Sequence, residues 1–169
     1  MKSPKQFYQD LVAKGTDLYI LRSISSLVGW DQEVFMPKEG IEIHSLQKQY
    51  LEGLIHKEIT SSDFQELVEK FIDMKTGVFT HVEGLEDMQK ATIREWRKDI
   101  IKAKKLPDTF VKAFAKACSE SVAVWAEAKK NNDFKTFAPY LENIVKLIRE
   151  RASYLEYKEH PYDALLDEY

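Results

Sequence analysis

Apolar residues return at intervals of three and four along nearly the whole chain, and β-branched alternation is almost absent, so the pattern predicts helices rather than strands. The first predicted helix opens at Ser3 with Pro4 in its first turn, where a missing N–H costs nothing. It carries Phe7, Leu11, Leu18, Leu21 and Leu27 toward Trp30 and is weakened locally by Gly15. Met36-Pro37 and Gly40 interrupt it, and a second helix sets Ile43, Leu46, Tyr50, Leu54 and Ile55 on one side. A third starts within Thr60-Ser61-Ser62-Asp63, with Ser62 or Thr60 as the capping hydroxyl, ahead of Phe64, Leu67, Val68, Phe71 and Ile72. Gly77 through Gly84 reads as an irregular connection.

Leu85, Met88, Thr92, Trp96 and Ile100 line the next helix, which Leu106-Pro107-Asp108 ends. The following one holds Phe110, Phe114, Ala117, Ser121, Trp125 and Ala128 and closes at Asn131-Asn132-Asp133. A last long helix, around Phe137 to Tyr157, places Leu141, Ile144, Val145, Ile148, Ala152 and Leu155 in one stripe. The expectation is an all-α fold, a bundle of about five to seven mostly long helices. With no linker, repeat or low-complexity tract, residues 1–169 read as a single helical domain.

Composition agrees with a globular chain: 169 residues with 44% hydrophobic content can bury roughly two-thirds of their unfolded surface. Charge is nearly balanced, 25 Lys+Arg against 28 Asp+Glu for a formal net charge of −3, which offers no broad attraction to nucleic acid or anionic lipid. Cys118, the single cysteine, has no internal disulfide partner, and Met1-Lys2-Ser3-Pro4-Lys5 lacks the apolar core of a secretory signal. A cytoplasmic, reducing compartment is the expectation. Even Leu18 to Val28 is interrupted by Arg22, Ser23, Ser25 and Ser26, so no apolar run nears the roughly 20 residues that cross a bilayer.

Helical spacing assigns most aromatic residues, the three tryptophans included, to the core. Trp30-Asp31-Gln32 stands apart, because it sets a buried aromatic anchor and a charge at a bend; the Asp31 carboxylate is expected to accept backbone N–H groups there. A zinc peptidase needs two histidines one helical turn apart with a glutamate beside the first, the pattern His-Glu-x-x-His. His44, His56, His81 and His160 provide no such spacing. Glu52 with His56, Glu156 with His160, and His160 with Asp163 do meet at helical intervals, but such pairs read as solvated or weakly paired side chains. No Gly-x-Ser-x-Gly elbow or phosphate-binding glycine loop is present, and Cys118, between Phe114 and Trp125, reads as a small buried hydrophobe. The basic run Arg97 to Lys105 reads as the cationic end of a helix stopping at Leu106-Pro107. No catalytic, cofactor-binding or metal-ligating residue is assigned.

Three segments carry a family resemblance: Leu27-Val28-Gly29-Trp30-Asp31 with Met36-Pro37, Asp133-Phe134 through Pro139-Tyr140-Leu141-Glu142, and His160-Pro161-Tyr162-Asp163-Ala164-Leu165-Leu166. In wording, order and spacing the chain resembles the N-terminal part of the Taq-type thermostable carboxypeptidases, a family of zinc metallopeptidases. One departure is His44, near a position where that family usually has an arginine. The resemblance implies a mostly helical metallocarboxypeptidase that releases C-terminal amino acids from peptides and works as a cytosolic homodimer. It also implies that the helices of this chain wall a substrate groove. The family's zinc motif, its glutamate ligand and its substrate-carboxylate motifs find no counterpart here, and the apolar ending after His160-Pro161 suggests a piece of a larger protein predicted to be inactive alone. The alternative is a stand-alone, non-catalytic helical binding or scaffolding module.

Overall fold

A computed structural model describes residues 2–168. Six α-helices follow one another: α1 (Pro4–Val34), α2 (Ile41–Ile59), α3 (Ser62–Glu69), α4 (Asp87–Lys105), α5 (Asp108–Asn131) and α6 (Phe134–Leu155). Short 3-10 helices occupy Lys38–Gly40 and Pro161–Glu168. Ile72 and Phe79 make an isolated antiparallel bridge, and there is no strand among the described residues. The fold is all-α, and no described helix is long and apolar enough to cross a membrane. Contacts divide the chain into two compact units, Met1–Ser23 with Leu54–Lys104, and Ile24–Gly53 with Lys105–Tyr169.

The first unit holds the aliphatic and aromatic core. Leu11 and Leu18 of α1, Ile55 and Ile59 of α2, Phe64 and Val68 of α3, then Phe71, Ile72, Leu85, Ile93 and Ile100 form one buried cluster. Burying a side chain of this size stabilises by about 1.5–3 kcal/mol, so this cluster is what fixes the unit. Ser61, rather than Thr60 or Ser62, caps α3: its hydroxyl accepts the Phe64 N–H at 3.2 Å. On α4 the inner positions are Ile93, Trp96 and Ile100, whereas Met88 is 77% exposed, a correction to the expected stripe.

Gly15 has a packing reason. A Cβ built there would lie 2.5 Å from the Trp96 ring, so α1 needs a residue without a side chain where the indole crosses it. The connection after α3 is irregular, as expected, and is held by two polar clamps. The Asp73 carboxylate accepts the N–H groups of Lys75 and Thr76 at 3.0 and 2.6 Å and the Thr76 hydroxyl at 2.8 Å. The Arg97 guanidinium donates to the carbonyls of Asp73, Met74 and Lys75 at 2.9–3.2 Å. Gly77, at φ 73°, completes this turn in the left-handed region.

In the second unit α5 and α6 pack on each other. Asn132, at φ 53°, ends α5 in the left-handed conformation, and the Asp133 carboxylate caps α6 through the Thr136 N–H. Near the other end of the pair, Phe110 meets Tyr154 edge-on at 5.3 Å and stacks with Phe114 at 5.8 Å. Lys105 donates to the Leu155 carbonyl at 2.9 Å and pairs with Glu156 at 2.8 Å, so it closes the C-terminal end of α6 and not only its own helix.

Several apolar positions assigned to the interior lie outside in this unit. Leu27, Trp30 and Trp125 are 62%, 53% and 45% exposed, and Ile43, Leu46 and Tyr50 of α2 are exposed too. The inner face of α2 here is His44 and Ser45. The reason is that α1 and α2 are apolar on more than one side, so spacing alone could not tell which stripe the described chain covers.

Gly15→Ala should destabilise the protein by about 1–3 kcal/mol through overpacking against Trp96, although alanine is the better helix former. Urea unfolding checks it; an unchanged midpoint would refute the close approach. The Thr76 N–H and hydroxyl hold the Asp73 carboxyl below its ordinary value. Its contribution is therefore complete above the ordinary aspartate range and lost as pH falls through the depressed value. Asp73→Asn should thus be less stable than the parent at neutral pH, with the gap closing in acid, as urea titrations at several pH values would show.

Candidate functional site

The end of α1 is fastened to α5 by a reciprocal pair. The Gln32 amide donates to the Ser119 carbonyl at 2.7 Å, and the Ser119 hydroxyl donates to the Gln32 carbonyl oxygen at the same distance. Ser119 is buried, and this one side chain meets both its hydroxyl and its carbonyl. Trp30 lies outside this contact, edge-on to Phe35 at 5.2 Å. The Asp31 carboxylate makes no hydrogen bond or ion pair among the described residues; the helix ends instead on the Asp31 backbone carbonyl, which accepts from Phe35 and Met36, both at 2.9 Å. The expected carboxylate cap is thereby corrected: the carbonyl takes the donors and the half-buried side chain takes none.

Two concavities follow from this fastening, both within the second unit. One, about 390 Å³, is walled by Phe110, Phe114, Cys118 and Val122, with Lys48 and Glu52 at its margin. Lys48 donates to the Ser25 hydroxyl at 2.7 Å and to its carbonyl at 3.0 Å, and that hydroxyl donates to Glu52 at 2.6 Å. The charged pair is thus consumed in tying α1 to α2. Burial pushes the Cys118 thiol up, against the weaker opposite pull of Arg151 and Lys48, which keeps it a protonated wall atom and not a nucleophile. The other concavity is an open groove of about 1100 Å³ between the α1–α2 turn and α5. Met36, Ile41, Trp125 and Tyr140 supply apolar wall, and Glu33, Glu42 and Glu120 line it with carboxylates.

The histidines stay apart in role. His56 Nε2 lies 3.0 Å from the Ala103 carbonyl, while Glu52, its partner in spacing, is engaged by Ser25. The Glu156 carboxylate goes to Lys105. His160 and Asp163 build a turn: Asp163 accepts the His160 N–H at 3.0 Å, and the His160 ring accepts the Tyr162 N–H at 3.2 Å. His81 Nδ1 sits 3.3 Å from the Lys70 carbonyl. His44 is buried with neither ring nitrogen hydrogen-bonded. No three His, Cys, Asp or Glu side chains converge to hold a metal among the described residues, so they do not fit a zinc site. The basic run is spent likewise, Arg97 on the 73–77 turn and Lys105 on α6.

Comparison with known proteins assigns this arrangement of helices. The model of the carboxypeptidase Taq (M32) metallopeptidase family matches residues 10–169. The chain belongs to that family. It is 34% identical over 161 residues to thermostable carboxypeptidase 1 of Pyrococcus furiosus and 32% identical over 177 residues to thermostable carboxypeptidase 1 of Thermus thermophilus. Those alignments take in 95% and 99% of this chain but 31% and 34% of the relatives. Among solved structures, the BsuCP crystal structure superposes with a TM-score of 0.87 at 27% identity, over 97% of this chain and 32% of that one. The apo-Mg structure of Pyrococcus furiosus carboxypeptidase gives 0.72 at 33% identity, over 100% and 32%. The chain therefore spans about a third of the length of the M32 relatives it matches.

What spacing missed is the Gln32–Ser119 pair and the carboxylate-lined groove beside it. One signal was available in α5: Ser119 and Ser121 are short polar residues, and both are buried. Cys118 should react with a disulfide reagent at pH 8 at least several-fold more slowly in the native protein than in urea. Equal rates by absorbance would mean the thiol is neither buried nor perturbed.

Proposed function

We propose that this chain is the N-terminal third of a zinc metallocarboxypeptidase that releases C-terminal amino acids from peptides, and that it forms a wall of the substrate groove without catalytic residues of its own. The observation that carries this reading is the match of nearly the whole chain to only a third of each relative. The 169 residues contain no His-Glu-x-x-His, so zinc would be held by the portion of the enzyme this chain does not include. The wall's contribution would be geometric: it would exclude bulk water and hold an extended peptide in place. In the complete enzyme we place it in a cytoplasmic homodimer.

Surface chemistry favours this reading over a stand-alone scaffolding module. Tyr19 and Leu27 of α1, Tyr50 of α2, and Tyr162 and Leu166 near the end are all more than half exposed. An independent soluble module seldom leaves so much apolar surface uncovered, whereas a piece separated from its packing partner does.

The pure 169-residue protein, supplied with zinc, should release no C-terminal residue from a blocked dipeptide, and a hydrophobic dye should bind it while light scattering shows concentration-dependent association. Zinc-dependent release by the chain alone would refute the division of labour. A stable monomer with no dye response would favour the independent module.

A further inference from the structure

We infer that the groove between the α1–α2 turn and α5 binds a cationic, extended peptide segment, an inference that rests on the reading of this chain as a wall of a peptide groove. Its volume, about 1100 Å³, lies at or beyond the upper end of small-molecule pockets, so a chain-like occupant fits better than a compact one. Its lining holds five carboxylates, from Glu33, Glu42, Glu120, Glu127 and Asp133, against the one ammonium of Lys38. That excess of four exceeds the formal net charge of −3 of the entire chain, so the remaining surface is close to neutral and the negative field is local.

The carboxylates differ in how far they are already engaged. Lys38 pairs with Glu127, and Asp133 is occupied as the cap of α6. Glu120 has only the loose approach of Lys116 at 3.7 Å. The carboxylates of Glu33 and Glu42 make no ion pair or hydrogen bond among the described residues, the one side-chain bond at Glu42 being that of the Ser45 hydroxyl to its backbone carbonyl, and they are open to an incoming cation. The same lining includes the apolar side chains of Met36, Trp125 and Tyr140. The Trp125 indole, part of this lining, also carries the Lys129 ammonium at 4.8 Å, so the ring accepts a cation, although Lys129 itself does not line the groove. In an extended peptide successive side chains point to opposite sides, so alternating basic and apolar residues would meet carboxylates and apolar wall in turn.

The test is fluorescence anisotropy of the full chain with short labelled peptides that alternate Lys with Leu or Gln with Leu. The Lys peptide should bind more tightly, should weaken as salt rises, and should lose about tenfold in affinity in Glu33→Gln/Glu42→Gln, with Glu95→Gln, on α4, unchanged. Should the double variant misfold by circular dichroism, Glu42→Gln alone is read, with a loss of about threefold. Equal affinity for the two peptides, or no effect of either groove variant, overturns the charge-based inference while leaving the groove-wall reading intact. Absence of peptide binding, with dimerisation that responds to Glu33→Gln/Glu42→Gln instead, assigns the groove to a second copy and also overturns it. The wall reading itself fails on a separate measurement, release of a C-terminal residue by the chain alone.

Discussion

The reciprocal hydrogen bonds between Gln32 and Ser119 are the constraint on which the second unit depends. One primary amide meets one hydroxyl and one carbonyl, donor to acceptor in both directions, at a place where Ser119 has no water to turn to. Losing either partner would strand a buried polar atom at about 1–3 kcal/mol, which is more than a typical surface contact contributes. The pair sets where α1 stops relative to α5. It thereby sets the distance between the α1–α2 turn and the α5 wall, which is the width of the groove.

Much of the fold was legible because it rests on periodicity and on stop signals. Phe64 and Val68 are buried on α3 where spacing placed them, Phe71 and Ile72 are buried but lie past its end at Glu69, and Asn132 ends α5 as expected. The start of α3 was legible to within a residue at Ser61, since a short polar side chain has to take the free N–H groups of a first turn, whereas α6 begins at Phe134, ahead of the expected Phe137, because Asp133 caps it. What could not be read was which face of α1 and α2 is covered. Leu27 and Ile43 are as apolar as Leu18 and Ile55, and only the fold tells a covered side from an uncovered one. Gly15 misled in the same way: a residue that weakens a helix locally is required there by the Trp96 ring, a partner more than eighty positions further along.

The site was less legible than the fold for a related reason. Of Trp30 and Asp31, the residues that stood out by type, Trp30 is exposed and the Asp31 carboxylate makes no bond, while the neighbour Gln32 makes the contact to α5. A glutamine at a helix end is unremarkable in sequence; its importance comes from a serine 87 positions away. The groove carboxylates are likewise ordinary helix-surface residues until α1, α2 and α5 bring them to one concavity.

The clasp made by Lys105 carries a consequence for the order in which the chain assembles. Its bond to the Leu155 carbonyl closes a loop of 50 residues, and joining the ends of a flexible loop that long costs about 3.5 kcal/mol in the length-dependent part alone. An ion pair as exposed as Lys105 with Glu156 returns at most about 1 kcal/mol. The clasp therefore cannot gather its own ends. It forms only after α5 and α6 have zipped into a hairpin and brought them together, which makes it a late latch on the folding route and the first contact to open when that hairpin frays.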